Sequence, residues 1–271
     1  MRFHADGGIC KYSHWYRNPT GFSKYIIATT MMKDGTPQLE YPGKDLEAMS
    51  FARNYHIWIM DIFKPYLSGI VAEIGAGSGN FSKLLLECLP EIQLVAFEPS
   101  INMYQKLKVV AEKEPRLKIC NSFFGTRIHE FRKSFDSVLY VNVLEHIEND
   151  REELDLARSS LKPGGHICIF VPALPFLYSE LDASIGHFRR YTRRQLVELV
   201  KSTGLKVNCV RYMDIAGIFP WYLVFVLMKR KMTGNKVSLY DRIAVPPMRV
   251  IEAMIPMPVG KNLILVAEKQ D

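Results

Sequence analysis

The sequence predicts an α/β protein: an open sheet of about seven strands, mostly parallel with the last strand antiparallel, and helices on both faces. Three observations carry this. The run Val71-Ala72-Glu73-Ile74-Gly75-Ala76-Gly77-Ser78-Gly79-Asn80-Phe81 reads as a strand, a glycine-rich turn and the start of an amphipathic helix. Glycines suit a sharp turn and a backbone that a ligand approaches without meeting a Cβ, and a new helix presents unpaired N–H groups. Glu98 stands nineteen residues after Gly79, at the end of a second apolar run, where an acid can accept both hydroxyls of a ribose. Strand and helix patterns then alternate along the chain, which implies parallel pairing.

The elements follow in order. Apolar residues at helical spacing (Phe51, Tyr55, Trp58, Ile62, Tyr66) predict a helix within 45–67, with Pro65 marking its end. Strands are expected at 70–74, 93–97, 117–120, 136–141, 166–171, 205–212 and 263–267. Helices are expected at 81–89, at 102–112 and at 150–161, the last capped by Asp150-x-x-Glu153 and stopped by Lys162-Pro163-Gly164-Gly165. Thr192-Arg193-Arg194-Gln195 is a second capping box, opening a helix that runs to Ser202. Between the last two strands, 214–261 is unusually long. Its run from Ile218 to Met228 reads as one very apolar helix with Lys229, Arg230 and Lys231 at its end. The expected organisation is an N-terminal extension or lid (1–45), a cofactor-binding core (46–213), an apolar helical insert (214–261) and the last core strand (262–271).

With 271 residues, 48% of them apolar, the chain can bury one good core and some additions. The net charge of +7 mildly favours anionic partners, but the basic residues are scattered and no nucleic-acid partner is expected. The five cysteines form no C-x-x-C pair, which fits a reducing cytoplasm. His4, Cys10 and His14 match no common metal spacing, and no metal is expected. The first residues lead into no apolar segment of the signal-peptide kind, and the run from Ile218 to Met228 is too short to span a bilayer.

The glycine spacing E-x-G-x-G-x-G, Glu98, Phe135-Asp136-Ser137-Val138, Asn142-Val143-Leu144-Glu145-His146-Ile147 and Leu161-Lys162-Pro163-Gly164-Gly165 occur in an order that resembles class I S-adenosylmethionine-dependent methyltransferases. That family has a Rossmann-like sheet. The likeness covers about 46–213 plus the last strand. Asn54-Tyr55, Pro65-Tyr66-Leu67, Glu145-His146, Leu181-Asp182, Gly186-His187-Phe188-Arg189-Arg190-Tyr191-Thr192 and Gly260-Lys261-Asn262 are similar to a bacterial subgroup of small-molecule methylases, including quinone and sugar-pathway ones. The resemblance implies S-adenosylmethionine as cofactor. It places Gly75, Ala76, Gly77 and Gly79 under the methionine and ribose, Glu73 at the turn or the cofactor ammonium, and Glu98 on the ribose. Pro99, with Asn121 or Ser122, would lie beside the adenine, and Asn142 beside the sulfonium.

On the acceptor side the candidates are His187 as base or anchor, Asp182 to orient it, His146 as a base or loop-ordering residue, and Arg190, Tyr191 and Tyr55 as substrate contacts. The run Asn-Val-Leu-Glu at 142–145, and the lack of a Pro-Cys nucleophile, argue against base amino-methylation and cytosine C5 methylation. The expected activity is methyl transfer to oxygen, nitrogen or an acidic carbon of a small molecule, yielding S-adenosylhomocysteine. Rival readings are a peripheral membrane methyltransferase of a lipid-linked, quinone or sugar substrate, a nicotinamide oxidoreductase, and a non-catalytic scaffold. The apolar insert is expected to cap the acceptor pocket or form a homodimer, ahead of resting on a membrane.

Overall fold

Short runs rich in branched apolar residues build the sheet, because such side chains pack well on a pleated surface buried from both sides. The structure, a computed structural model, describes residues 28–31, 37–41, 52–230 and 234–271. A hairpin of β1 (Ala28–Met31) and β2 (Pro37–Glu40) precedes α1 (Arg53–Phe63). Then come β3 (Ile70–Ile74), α2 (Asn80–Cys88), β4 (Gln93–Phe97), α3 (Ile101–Ala111), β5 (Leu117–Cys120) and β6 (Phe135–Val141). The second half holds α4 (Asp150–Ser160), β7 (Leu161–Pro172), α5 (Glu180–Ser184), α6 (Arg193–Ser202) and β8 (Lys206–Met213). It ends with α7 (Ile218–Trp221), α8 (Gly234–Ile243), α9 (Val245–Met254) and β9 (Asn262–Glu268). Much of the expected N-terminal extension, with His4, Cys10 and His14, lies outside the described residues, as does Lys231.

The large sheet has seven strands in the order β5-β4-β3-β6-β7-β9-β8, with only β9 antiparallel to its neighbours. Strand order reverses between β3 and β6, so the carboxyl ends of β3, β4, β6 and β7 open onto one crevice, where such sheets bind ligands. Alternation along each strand feeds two apolar layers. Val71, Leu94, Leu139 and Phe170 pack against α1, α2 and α3; Ala72, Val95, Val138 and Ile169 pack toward α4 and α6.

The helix expected within 45–67 is described from Arg53, and its expected start lies outside the described residues. Three local expectations change. Asn149, not Asp150, caps α4 by accepting the Glu152 N–H, which frees Asp150 for other partners; Glu153 turns inward to accept the Tyr140 hydroxyl. The Lys162–Gly165 turn does not lie outside the strand: it is a bulge within β7, where Phe135 faces Leu161 and Ser137 faces His166. Its Gly164 and Gly165 bond to Lys269, so the chain's end holds the bulge in place. The apolar insert is not one helix. After α7, residues Tyr222–Leu227 wind as a π-helix, and Lys229 at φ +50° ends the segment. Pro220 falls in the first turn of α7, where its missing N–H has no helical partner to lose.

Candidate active site

The half of the crevice over β3, β4 and β5 is built from backbone. Gly75 (φ +68°) and Ala76 turn the chain so that both N–H groups bond the Phe97 carbonyl, at 2.9 and 3.0 Å. A Cβ at Gly75 would sit 2.6 Å from Val143 Cγ2, so the turn tolerates no side chain there. Gly77 donates to Glu98 Oε2 and Ser100 to Glu98 Oε1, each at 2.8 Å. Glu98 thus ties the turn to the end of β4, and its carboxylate keeps lone-pair capacity for a ligand hydroxyl. Burial raises the Glu98 pKa, and the two N–H donors together with the Ser100 hydroxyl oppose that. Glu73 accepts the Ser82 hydroxyl, and burial pushes its pKa up to about 8. Ser100 occupies the N-cap position of α3 without a side-chain cap bond.

Glu73, Gly75, Ala76, Gly77, Glu98, Pro99 and Ser122 all line the cleft, with Phe123 and Phe124 behind Ser122. Two predicted cofactor residues stand elsewhere. Gly79 caps α2 in the left-handed region (φ +83°), and a Cβ there would meet Leu107 Cδ1 at 2.8 Å. It lets α2 pack on α3 and does not face the cleft. Asn121 donates its amide to the Glu98 and Pro99 carbonyls and holds the ends of β4 and β5 together. The Ser122 hydroxyl is buried with no hydrogen-bond partner.

The other half is built from side chains. Asn142 ends β6 at φ +54°, bonded through its N–H to the Phe170 carbonyl, with its side chain in the cleft. The next turn carries Glu145 and His146. His187 returns beside them from the loop after α5: its ring lies edge-on to His146 with centroids 4.5 Å apart, and Nε2 lies 3.8 Å from Glu145 Oε1. His187 Nδ1 is 2.8 Å from Asp182 Oδ1. Asp182 is fully buried and also receives the Ser179 N–H and hydroxyl and the Arg190 guanidinium. Burial would raise the Asp182 pKa, but His187 and Arg190 outweigh it and hold the carboxyl below its usual range. Burial pushes His146 down to about 3 and Glu145 up to about 7, the latter opposed by His187.

His146, His187 and Arg190 line the cleft; Asp182 stands behind His187. Tyr191 turns away, its hydroxyl bonded to the Leu144 carbonyl and Asp150 Oδ2. Tyr55 lines the cleft and donates to Asp214 Oδ2 at 3.0 Å. Asp214 also receives Lys261 Nζ at 2.7 Å and the Tyr240 hydroxyl. Asn262 donates to the Tyr55 oxygen. Lys261 lies 5.3 to 5.6 Å from the Tyr55, Trp221 and Tyr240 rings. Trp221 hangs over the cleft from the insert, donating to the Leu177 carbonyl and stacked 4.6 Å from the Arg190 guanidinium. Tyr41, tied to Asn102 by two hydrogen bonds, reaches the cleft from the hairpin side. Glu145, Trp221, Lys261 and Asn262 were not among the sequence's candidates; the sole signal for Lys261 was the Gly260-Lys261-Asn262 segment.

Known proteins resemble this arrangement. A family model described as a methyltransferase domain matches residues 50–210, more than half of the chain. No curated protein matches the sequence. A SAM-dependent methyltransferase from Archaeoglobus fulgidus superposes with a TM-score of 0.56 at 18% identity, over 84% of this chain and 100% of that one. Haemonchus contortus phosphoethanolamine N-methyltransferase 2, in complex with S-adenosylmethionine, gives 0.54 at 16%, over 84% of this chain and 57% of that one. The [4+2]-cyclase SpnF gives 0.53 at 13%, over 80% of each chain, so the fold by itself does not fix the reaction.

The residues present fit S-adenosylmethionine. Gly75 and Gly77 present bare backbone at positive φ to the cleft, Glu98 beside them is a carboxylate that a ribose hydroxyl can meet, and Ser122, whose buried hydroxyl lacks a partner, lines the same cleft with Phe123 and Phe124. Glu73, which burial leaves largely protonated near neutrality, stands where an ammonium can ionise it. The chain belongs to the methyltransferase-domain family and is an enzyme that uses S-adenosylmethionine as its cofactor.

Proposed function

We propose that the chain methylates an oxygen, nitrogen or acidic carbon of a small molecule held against His187. The observation that carries this is the Asp182–His187 pair: Nδ1 is engaged at 2.8 Å while the ring lines the cleft beside Asn142. Bound S-adenosylmethionine supplies an electrophilic methyl group. Gly75, Gly77, Glu98 and Ser122 bind and orient it, and Asn142 borders the reacting end. Asp182 fixes the His187 tautomer with the proton on Nδ1, leaving Nε2 to accept a proton from the acceptor or to anchor it. Trp221, Tyr55, Lys261 and Tyr41 narrow the opening and exclude water, which supports a small acceptor over a folded macromolecule.

Trp221 supports a capping role for the insert. Its exposed Phe219, Leu239, Ile243 and Met254 support a homodimer through the same segment. No helix among the described residues is long and apolar enough to cross a membrane. The four described cysteines are free, which supports a reducing, cytoplasmic setting.

The test is transfer of labelled methyl groups into a cell extract fractionated by size. Label is expected in the low-mass fraction, falling more than about tenfold with His187→Ala while calorimetric affinity for S-adenosylhomocysteine holds. Label confined to protein or nucleic acid, or an unaffected variant, overturns the reading. Tight NAD binding without S-adenosylhomocysteine binding would favour an oxidoreductase.

A further inference from the structure

Among the described residues Glu145 is fully buried, and neither of its carboxylate oxygens has a hydrogen-bond partner. Arg190 is paired with Asp182, and the nearest group to Glu145, His187 Nε2 at 3.8 Å, is a counter-ion only when the imidazole is protonated. A lone buried carboxylate is costly unless it is paired or coordinates a metal.

Its neighbours have the chemistry to make it a ligand. One ligand atom each from Glu145, His146 and His187 lie within 4.8 Å of one another. Asp182 occupies His187 Nδ1 and so directs the Nε2 lone pair toward Glu145, 3.8 Å away. That is the carboxylate–histidine arrangement by which proteins orient a metal ligand. His146 is steadied by a hydrogen bond to the Gly186 backbone and by its edge contact with His187. Both imidazoles line the cleft, so a bound ion would keep open positions on the acceptor side.

We propose that Glu145, His146 and His187 bind a divalent transition-metal ion whose open positions take an oxygen of the acceptor. Two imidazoles and one carboxylate suit manganese, iron, cobalt or zinc better than magnesium, which prefers an all-oxygen shell. The role of the ion rests on the methyltransferase reading; its binding does not. In that role His187 anchors the acceptor through the ion, and the ion lowers the pKa of the acceptor hydroxyl. The O–H bond breaks and the proton leaves to solvent. The oxygen lone pair forms the bond to the methyl carbon as the carbon–sulfur bond breaks, its electron pair staying on sulfur.

The test is cobalt(II) titration of the full chain after chelator treatment, followed by visible d–d absorption. One equivalent should bind. Glu145→Gln and His187→Ala should each weaken it at least about a hundredfold, and Asp182→Asn about 10- to 100-fold, as expected for an outer-shell partner. Calorimetry with S-adenosylhomocysteine on each variant shows that the fold persists. Should a variant fail to fold, the wild type decides: cobalt must displace or broaden the imidazole resonances of two of the seven histidines. No cobalt binding by the wild type, equal binding by the folded variants, or unmoved histidine signals overturns the site. A protein that binds S-adenosylhomocysteine but not cobalt loses the ion alone. One that binds cobalt but not S-adenosylhomocysteine keeps the site and loses the methyltransferase reading.

Discussion

The two halves of the cleft are made differently. The cofactor half is closed by hydrogen bonds between residues near one another in sequence: Ser82 to Glu73 spans 9 positions, Gly77 to Glu98 spans 21, Ser100 to Glu98 spans 2. Two of these three use backbone N–H groups. The acceptor half joins a local cluster, with His187 and Arg190 on Asp182 across 5 and 8 positions, to side chains from distant segments: Tyr55 to Asp214 spans 159 positions, Asn262 to Tyr55 spans 207, and Tyr55 to Asp241 spans 186. A site of the first kind forms wherever the strand–turn–helix forms. One of the second kind exists only after the insert and last strand have docked. Substrate choice can therefore vary on this fold while the cofactor site stays the same.

The largest effect should come from removing the buried anchor of the acceptor half. Asp214 is fully buried and serves Tyr55, Tyr240, Lys261 and the Gly217 N–H together. Asp214→Ala leaves a lysine and two tyrosines without their partner, and should cost about 3–5 kcal/mol. The melting temperature should fall by about 10 °C, at roughly 2–4 °C per kcal/mol for a chain of comparable size. Affinity for S-adenosylhomocysteine should change less than about threefold in the folded protein, since the residue touches no part of the cofactor half. Equal losses in both measurements would show that the halves are one cooperative unit.

Glu98→Ala attacks the other half. It removes the acceptor of two buried N–H groups and the ribose contact, and should weaken S-adenosylhomocysteine about a hundredfold, about 2.8 kcal/mol. Calorimetry measures this directly; an unchanged dissociation constant would remove Glu98 from the binding site.

The same asymmetry governs what can be read before folding. Glu73, the glycines and Glu98 announce themselves because one local motif positions them all. Tyr55 shows only as a helix-spaced aromatic residue, since its partners Asp214 and Asn262 belong to no shared period. Glu145 looks like any polar residue in a loop until His187 folds back beside it and Phe188 bonds its carbonyl. Asn121 and Tyr191 sit near the right place in sequence but spend their polar groups on the scaffold. The seven sheet strands and the parallel pairing of most of them were legible from alternation; the order of the strands and the π-helical insert were not, because alternation does not say which strands become neighbours and an apolar run carries no sign of its winding.

Glu73 gives a pH signature confined to the cofactor half. Burial raises its folded pKa from an ordinary 4.5 to about 8. Below about pH 4.5 both folded and unfolded chains hold the proton. Between there and about pH 8 the unfolded chain has lost it while the folded one retains it, so this group's contribution to stability falls as pH rises through that window and levels off above it. Glu73→Gln should flatten the melting-temperature profile between pH 5 and 8, the variant gaining on the wild type toward the alkaline end. Parallel profiles would show that Glu73 titrates normally.

Gly79→Ala separates the two uses of glycine inside a single motif, with the smallest effect. Gly79 has the left-handed φ that costs an ordinary residue about 1–2 kcal/mol, and its added Cβ would press on Leu107 Cδ1, the movable end of a side chain. Gly79 does not line the cleft, whereas Gly75 and Gly77 do. The variant should lose about 1–2 kcal/mol of stability, a melting shift of about 2–8 °C, and bind S-adenosylhomocysteine within about threefold of the wild type. The turn would then be a composite: two glycines that admit the cofactor and a third that seats the following helix on its neighbour. If affinity instead falls as far as in Glu98→Ala, the packing of α2 on α3 sets the shape of the cradle, and the cofactor half depends on tertiary docking as much as the acceptor half does.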